Sequence, residues 1–174
     1  MKKKVLITYA SKYGGTAEIA RRIAGQFNNG SADLVVEPIE NAGSPESYDM
    51  VILGVAIYMG QWRKQAVKYL KAHEDLLSEK DLWLFLSGPT GEGDPDEMLE
   101  GRKIPPKLKP LMERLSPEEV KTFHGTLVPE KMNGFEKWII RKVKAPTGDF
   151  RIWSEIDQWG KDIAGKVQPG PVAS

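Results

Sequence analysis

Short apolar runs without polar alternation recur along the chain: Val5, Leu6 and Ile7; Leu34, Val35 and Val36; residues 51–57; and residues 82–86. Such runs predict strands covered on both faces, as in a parallel sheet. A weaker fifth run, 120–128, carries its signal in Phe123, Leu127 and Val128 and is interrupted by Gly125. Between the runs the apolar spacing changes to three and four. Ile19, Ala20, Ile23, Ala24 and Phe27 predict a helix over 16–27, and Val67, Leu70 and Leu77 predict one over 64–77. Further helices are expected over 106–115, where Pro105 and Pro106 suit a start, over 134–143, and over 153–167. Strand and helix alternate, which predicts an α/β domain with a five-stranded parallel sheet between helices. The domain is expected to span 1–167, with 168–174, holding two prolines and a glycine, as a frayed tail.

Composition narrows the chemistry. A length of 174 residues suits one domain, and 25 basic against 24 acidic side chains leave a net charge of +1, far from the excess of a nucleic-acid binder. Cysteine is absent, which removes disulfides, Cys-ligated metal centres and thiol catalysis together. Redox chemistry would therefore need a bound organic cofactor or another kind of metal site. The apolar run behind the basic N-terminus is too short for a signal core, and no stretch approaches a membrane span, so a cytoplasmic protein is expected.

Ser11, Lys12, Tyr13, Gly14, Gly15 and Thr16 join the first strand directly to the first helix, at the sheet edge where open α/β proteins bind ligands. Two glycines allow a tight turn that converges backbone N–H groups, the helix N-terminus adds positive partial charge, and Ser11 and Thr16 add hydroxyls. The residues fit a phosphate pocket; the alternative is a plain strand-to-helix turn capped by Thr16. Neither the nucleoside-triphosphate loop nor the Gly-x-Gly-x-x-Gly fingerprint is present, so a terminal monophosphate fits best. Two more loops follow the third and fourth strands, around Tyr58, Met59, Gly60 and Trp62, and around Ser87, Gly88, Pro89, Thr90 and Gly91. In strand order 2-1-3-4-5 both open beside the first loop and offer aromatic planes, hydroxyls and close backbone approach to a flat polar ring. The alternative for Tyr58 and Trp62 is packing at a helix start.

Ser-x-Tyr-Gly-Gly-Thr after the first strand resembles the phosphate loop of the flavodoxins, usually Thr-x-Thr-Gly-x-Thr, and the resemblance covers residues 3–91. It implies a flavodoxin-like three-layer sandwich that binds FMN non-covalently. Ser11 to Thr16 would hold the phosphate, while Ala56, Ile57, Tyr58, Met59 and Gly60, with Ser87, Gly88, Pro89, Thr90 and Gly91, would border the ring. Tyr13 departs from the family's threonine, and Lys12 places a cation that ordinary flavodoxins lack.

The C-terminal half is similar to the flavodoxin-domain subfamily that includes the menaquinone-dependent protoporphyrinogen oxidases, through a basic aromatic segment, 131–144. The resemblances imply either an electron carrier between partner proteins or an FMN-dependent oxidoreductase acting on a porphyrinogen or quinone in heme biosynthesis. A flavin-sensing module without turnover is a third class. Within 131–144, Phe135, Trp138, Ile139 and Val143 fall at helical spacing beside Lys131, Lys137, Arg141, Lys142 and Lys144. Either this stripe packs on the sheet, or the segment contacts an anionic membrane at its inner face, or Arg141 and Lys142 hold an anionic substrate or partner. His73 and His124 share no metal-ligand spacing and are read as surface or strand-end residues, so no metal is expected. The acidic residues between Glu92 and Glu100 are read as a solvated loop.

Overall fold

The computed structural model describes residues 2–27 and 30–167; the predicted tail, 168–174, lies outside them. The apolar runs become β1 (Lys3–Ala10), β2 (Ala32–Pro38), β3 (Met50–Tyr58) and β5 (Asp81–Ser87), all in one parallel sheet with β6 (Glu119–Phe123). The order is β2-β1-β3-β5-β6, which is the expected 2-1-3-4-5 once the short β4 (Gln61–Trp62) is set aside. β4 pairs antiparallel with the end of β3, Ile57 opposite Trp62. Met59 and Gly60, at φ 51° and 71°, make the two-residue turn between them, a left-handed pair that matches strand twist.

One sheet face packs under α1 (Gly15–Ala24) and α7 (Trp153–Val167), where Ile19, Ile23, Ile156 and Ile163 meet Ile7, Ile52 and Phe85. Phe85, Phe123 and Trp159 form a cluster of tilted and edge-on rings with centroids 5.7–6.1 Å apart. The other face packs under α2 (Lys64–Ala72), α3 (Glu74–Ser78) and α5 (Lys109–Leu115), burying Ala66, Leu70, Leu77, Leu111 and Leu115 against Leu53, Leu84 and Leu86. Two covered faces explain why the strand sequences lack alternation. Among the described residues, no helix is long and apolar enough to cross a membrane.

Some elements differ from their expected form. The helix expected over 64–77 is two, divided at His73, whose φ of −117° leaves the helical region while its ring packs edge-on against Tyr69. The helix expected over 106–115 begins as a 3-10 turn, Pro106–Leu108, before α5. The fifth run ends as a sheet strand at Phe123. Beyond His124 and Gly125 the chain turns into β7 (Thr126–Leu127), which pairs antiparallel with β8 (Gly148–Asp149), outside the main sheet. The acidic segment is not all loop: Asp94 caps α4 (Pro95–Met98), accepting from the N–H groups of Asp96 and Glu97 at 2.8 and 3.0 Å.

Candidate functional site

At the carboxyl edge of the sheet, β1 delivers the chain into α1 through Ser11 to Gly14. The Ser11 Oγ accepts from the Gly14 N–H at 2.9 Å. Gly14 itself is the N-cap, at φ 92° and ψ −10°, with no capping side chain. The turn therefore needs glycine. Thr16 is not the cap that the plain-turn reading expected; it lies buried in the first turn of α1. The first intrahelical bond runs from the Glu18 N–H to the Gly14 carbonyl. By helix geometry the N–H groups of Gly15, Thr16 and Ala17 have no carbonyl within the helix, and they carry the positive end of its dipole.

Loops from β1, β3 and β5 meet around one cavity. Ser11, Lys12, Tyr13, Gly15 and Thr16 line it from the first, Ala56, Ile57, Tyr58 and Met59 from the second, and Ser87, Gly88 and Thr90 from the third. Gly14, Gly60, Pro89 and Gly91 support these loops without lining the cavity. Gly88 is required by close approach, since a Cβ there would stand 2.8 Å from both Ile57 Cβ and Ile57 O. The β5 loop is also fixed from behind. His124, buried at the end of β6, lies 2.8 Å from the Gly93 carbonyl through Nε2 and 3.3 Å from the Pro89 carbonyl through Nδ1. It is a strand-end residue as expected, but not a surface one.

The cavity has a roof that sequence reasoning did not supply. Thr126 and Leu127 of β7 line it, as do Ile139, Ile140 and Val143 of α6 (Gly134–Lys142) and the turn after it. Gly125, which interrupts the fifth run, was the available signal. The apolar stripe does not pack on the sheet: Ile140 is the buried residue of α6, whereas Phe135, Trp138 and Val143 are 69%, 55% and 59% exposed. Arg141 and Lys142 lie exposed on α6, away from the cavity, with Lys142 Nζ 5.0 Å from the Trp138 ring centroid.

Polar contacts hold the roof. Glu136 completes a capping box with Asn133 at the start of α6. The same carboxylate takes hydrogen bonds from the Lys12 ammonium and the Tyr13 hydroxyl, tying α6 to the β1 loop. The bond from Lys12, then that from Tyr13, holds the Glu136 carboxyl below the usual range. Lys12 is raised, chiefly by its bond to Glu136, and the Tyr13 phenol is raised first by burial. Lys12 Nζ also sits 5.1 Å from the Tyr13 ring centroid and 4.5 Å from that of Tyr58, so the cation the sequence singled out lies between roof and floor. A second clamp was not legible in the sequence. Arg151 donates through Nη1 to the Gly15 carbonyl at 3.2 Å and to Glu18 at 3.1 Å, and through Nε and Nη2 to Asp149 at 2.8 and 2.7 Å.

These residues suit a flavin mononucleotide. The uncapped start of α1 leaves N–H groups of the kind that can hold a phosphate, Gly14 has open space where a Cβ would stand, and the hydroxyl of Tyr58 is buried without a hydrogen-bond partner among the described residues. Among the same residues no group of His, Asp and Glu could hold a metal ion.

Solved structures share this architecture. A flavodoxin from the domain Archaea superposes with a TM-score of 0.59 at 15% identity, over 94% of this chain and 98% of that one. Flavodoxins 1 and 2 from Bacillus cereus give TM-scores of 0.59 and 0.55 at 17% and 22% identity, over 93% and 94% of this chain and 97% of each of theirs. At such identities the likeness carries the fold alone. No curated protein matches the sequence. A family model for the flavodoxin domain matches residues 6–152, so the chain belongs to the flavodoxin-domain family.

Proposed function

We propose that this protein carries electrons between partner proteins through non-covalently held FMN. The observation that carries the reading is the uncapped N-terminus of α1 under Gly14, opening onto a cavity that three strand-end loops share. FMN, when bound, supplies a ring that takes up and releases one or two electrons, and the protein supplies binding and electrostatics. The N–H groups of 15–17, with the Thr16 hydroxyl, hold the phosphate. Tyr58 and Met59 from β3, with Ser87, Gly88 and Thr90 from the β5 loop, would border the ring. Leu127, Ile139 and Ile140 would shield the cavity from water, and Lys12, paired with Glu136, would hold that cover in place. Purified protein should show an oxidised-flavin absorption band that bleaches on stepwise reduction and is released intact by denaturation. A protein reconstituted with FMN that shows no such band would reject the reading.

A second reading is an FMN-dependent oxidoreductase of the protoporphyrinogen oxidase type, working beside an anionic membrane. The exposed Phe135 and Trp138, stacked at 6.2 Å next to the cations of α6, favour it. Co-sedimentation with anionic vesicles, together with flavin-dependent oxidation of protoporphyrinogen by a menaquinone analogue, would support it. Neither binding nor turnover would reject it.

A further inference from the structure

We infer that the face formed by α2 and the turn after Pro105 is a docking surface for an acidic electron-transfer protein, a statement that rests on the carrier reading above. Lys64, Lys68 and Lys71 follow one another along α2 at spacings of four and three, and Lys107 stands across an open cleft from them. The cleft has an apolar floor of Trp62, Val67 and Leu108. Trp62 is 5% exposed, and its indole N–H donates to the Lys103 carbonyl at 2.9 Å, which fixes the far wall against the β3–β4 hairpin. The cleft is thus set by packing and backbone, with flexible lysines only at its rim.

Charge is the unusual feature. No carboxylate lines the cleft, and among the described residues none of these lysines makes an ion pair. Lys3, Lys12 and Lys103 elsewhere are each paired. Like charges at helical spacing repel, and nothing within the cleft offsets that repulsion. In a chain of net charge +1, the four cations form a local excess. The row from Lys64 to Lys71 runs for about 10 Å along the helix, longer than one phosphate and suited to a line of carboxylates on a protein surface.

Position gives the surface its purpose. β4 carries Trp62 into the cleft, and the hairpin joining β4 to β3 ends in Met59, which is 61% exposed and also lines the cofactor cavity. A protein seated on the lysines therefore meets the rim of the cofactor site through Met59. An apolar centre inside a cationic rim is the anatomy of a protein interface, and rim charges govern encounter rate and orientation, which suits a partner that must leave again. α6 offers cations too, but beside exposed aromatic rings, so it serves as the control surface.

Binding of the FMN-loaded protein to an acidic [2Fe–2S] ferredoxin tests the inference at about 20 mM and about 150 mM salt. The wild type should bind, more weakly at the higher salt. Replacing Lys64, Lys68 and Lys71 together by Gln should weaken low-salt binding about tenfold, while Lys137→Gln with Lys142→Gln leaves it unchanged. The inference is overturned by any of these results: no wild-type binding, full binding by the α2 variant, or equal losses from the α2 and α6 variants. Pyrophosphate binding that depends on the α2 lysines, with ferredoxin binding that does not, would assign the cleft to small anions and also overturn it. Flavin absorbance, recorded for each protein, separates the two levels. Flavin retained without α2-dependent docking rejects the surface alone, and flavin that never binds rejects the carrier reading.

Discussion

The floor and the roof of the cavity are built by different forces. The floor is the carboxyl edge of a parallel sheet whose strands bury Ile7, Ile52, Leu53, Leu84 and Phe85 with no exposed surface. The roof, α6, buries only Ile140 and is held by Glu136, which caps its own helix and grips Lys12 and Tyr13 from the floor. Burial of whole side chains contributes far more than partly exposed hydrogen bonds and ion pairs. Damage to the floor should therefore show as lost stability, and damage to the roof as changed access to the cavity.

The largest effect should come from the sheet. Phe85 is fully buried between Phe123 and Trp159, so Phe85→Ala should cost about 3–5 kcal/mol in denaturant unfolding. A loss as small as that of a surface substitution would contradict the division between floor and roof.

Next comes the loop that joins them. Gly14→Val forces a branched residue into a left-handed turn at the N-cap, costing about 1–2 kcal/mol of stability and disturbing the N–H groups that start α1. FMN affinity should fall by orders of magnitude while the apoprotein still folds, as calorimetry and circular dichroism would show.

Glu136→Gln should leave the fold intact and speed FMN release several-fold, measured by flavin fluorescence on dilution, because it removes the anion that ties α6 to Lys12. The wild-type latch has a pH window of known sign. The Glu136 carboxyl is held below its ordinary value of 4.5, so the latch is complete above that value and fails as pH falls through the lowered one; Lys12, raised above 10.5, does not release it before then on the alkaline side. A ratio of Glu136→Gln to wild-type release rates that changes between about pH 6 and about pH 8 would contradict this assignment.

The smallest effect belongs to Trp138→Ser. The ring is 55% exposed, so unfolding should change by no more than about 0.5 kcal/mol. A loss of several times that amount would mean that α6 packs more deeply than its exposure shows.

The same contrast governs what could be read from the sequence. Val5 to Ile7, residues 51–57 and 82–86 announce buried strands because both faces of the sheet are covered, and Gly14 and Gly15 mark the sharp passage into α1. The break at His73 comes with an edge-on contact between its ring and Tyr69, which periodicity does not contain. β7 pairs with β8 across an intervening helix and only two residues long, too short for an alternation to register. α6 and the residue after it carry Phe135, Trp138, Ile139, Ile140 and Val143, enough apolar residues to suggest several inward faces, and Glu136 ties the helix down in one of them. The signature of that choice, Asn133 followed three residues later by Glu136, is a capping box visible in the sequence. Its second task, gripping Lys12 across 124 positions of chain, is not.

Titration of the apoprotein with FMN and with riboflavin tests whether the start of α1 holds the phosphate of FMN. The two ligands share the ring and differ at the phosphate, and each hydrogen bond to a charged acceptor contributes roughly 1.5–3 kcal/mol. FMN should bind tighter by at least two orders of magnitude, and Gly14→Val should erase the difference. Equal affinities in the wild type would contradict the account.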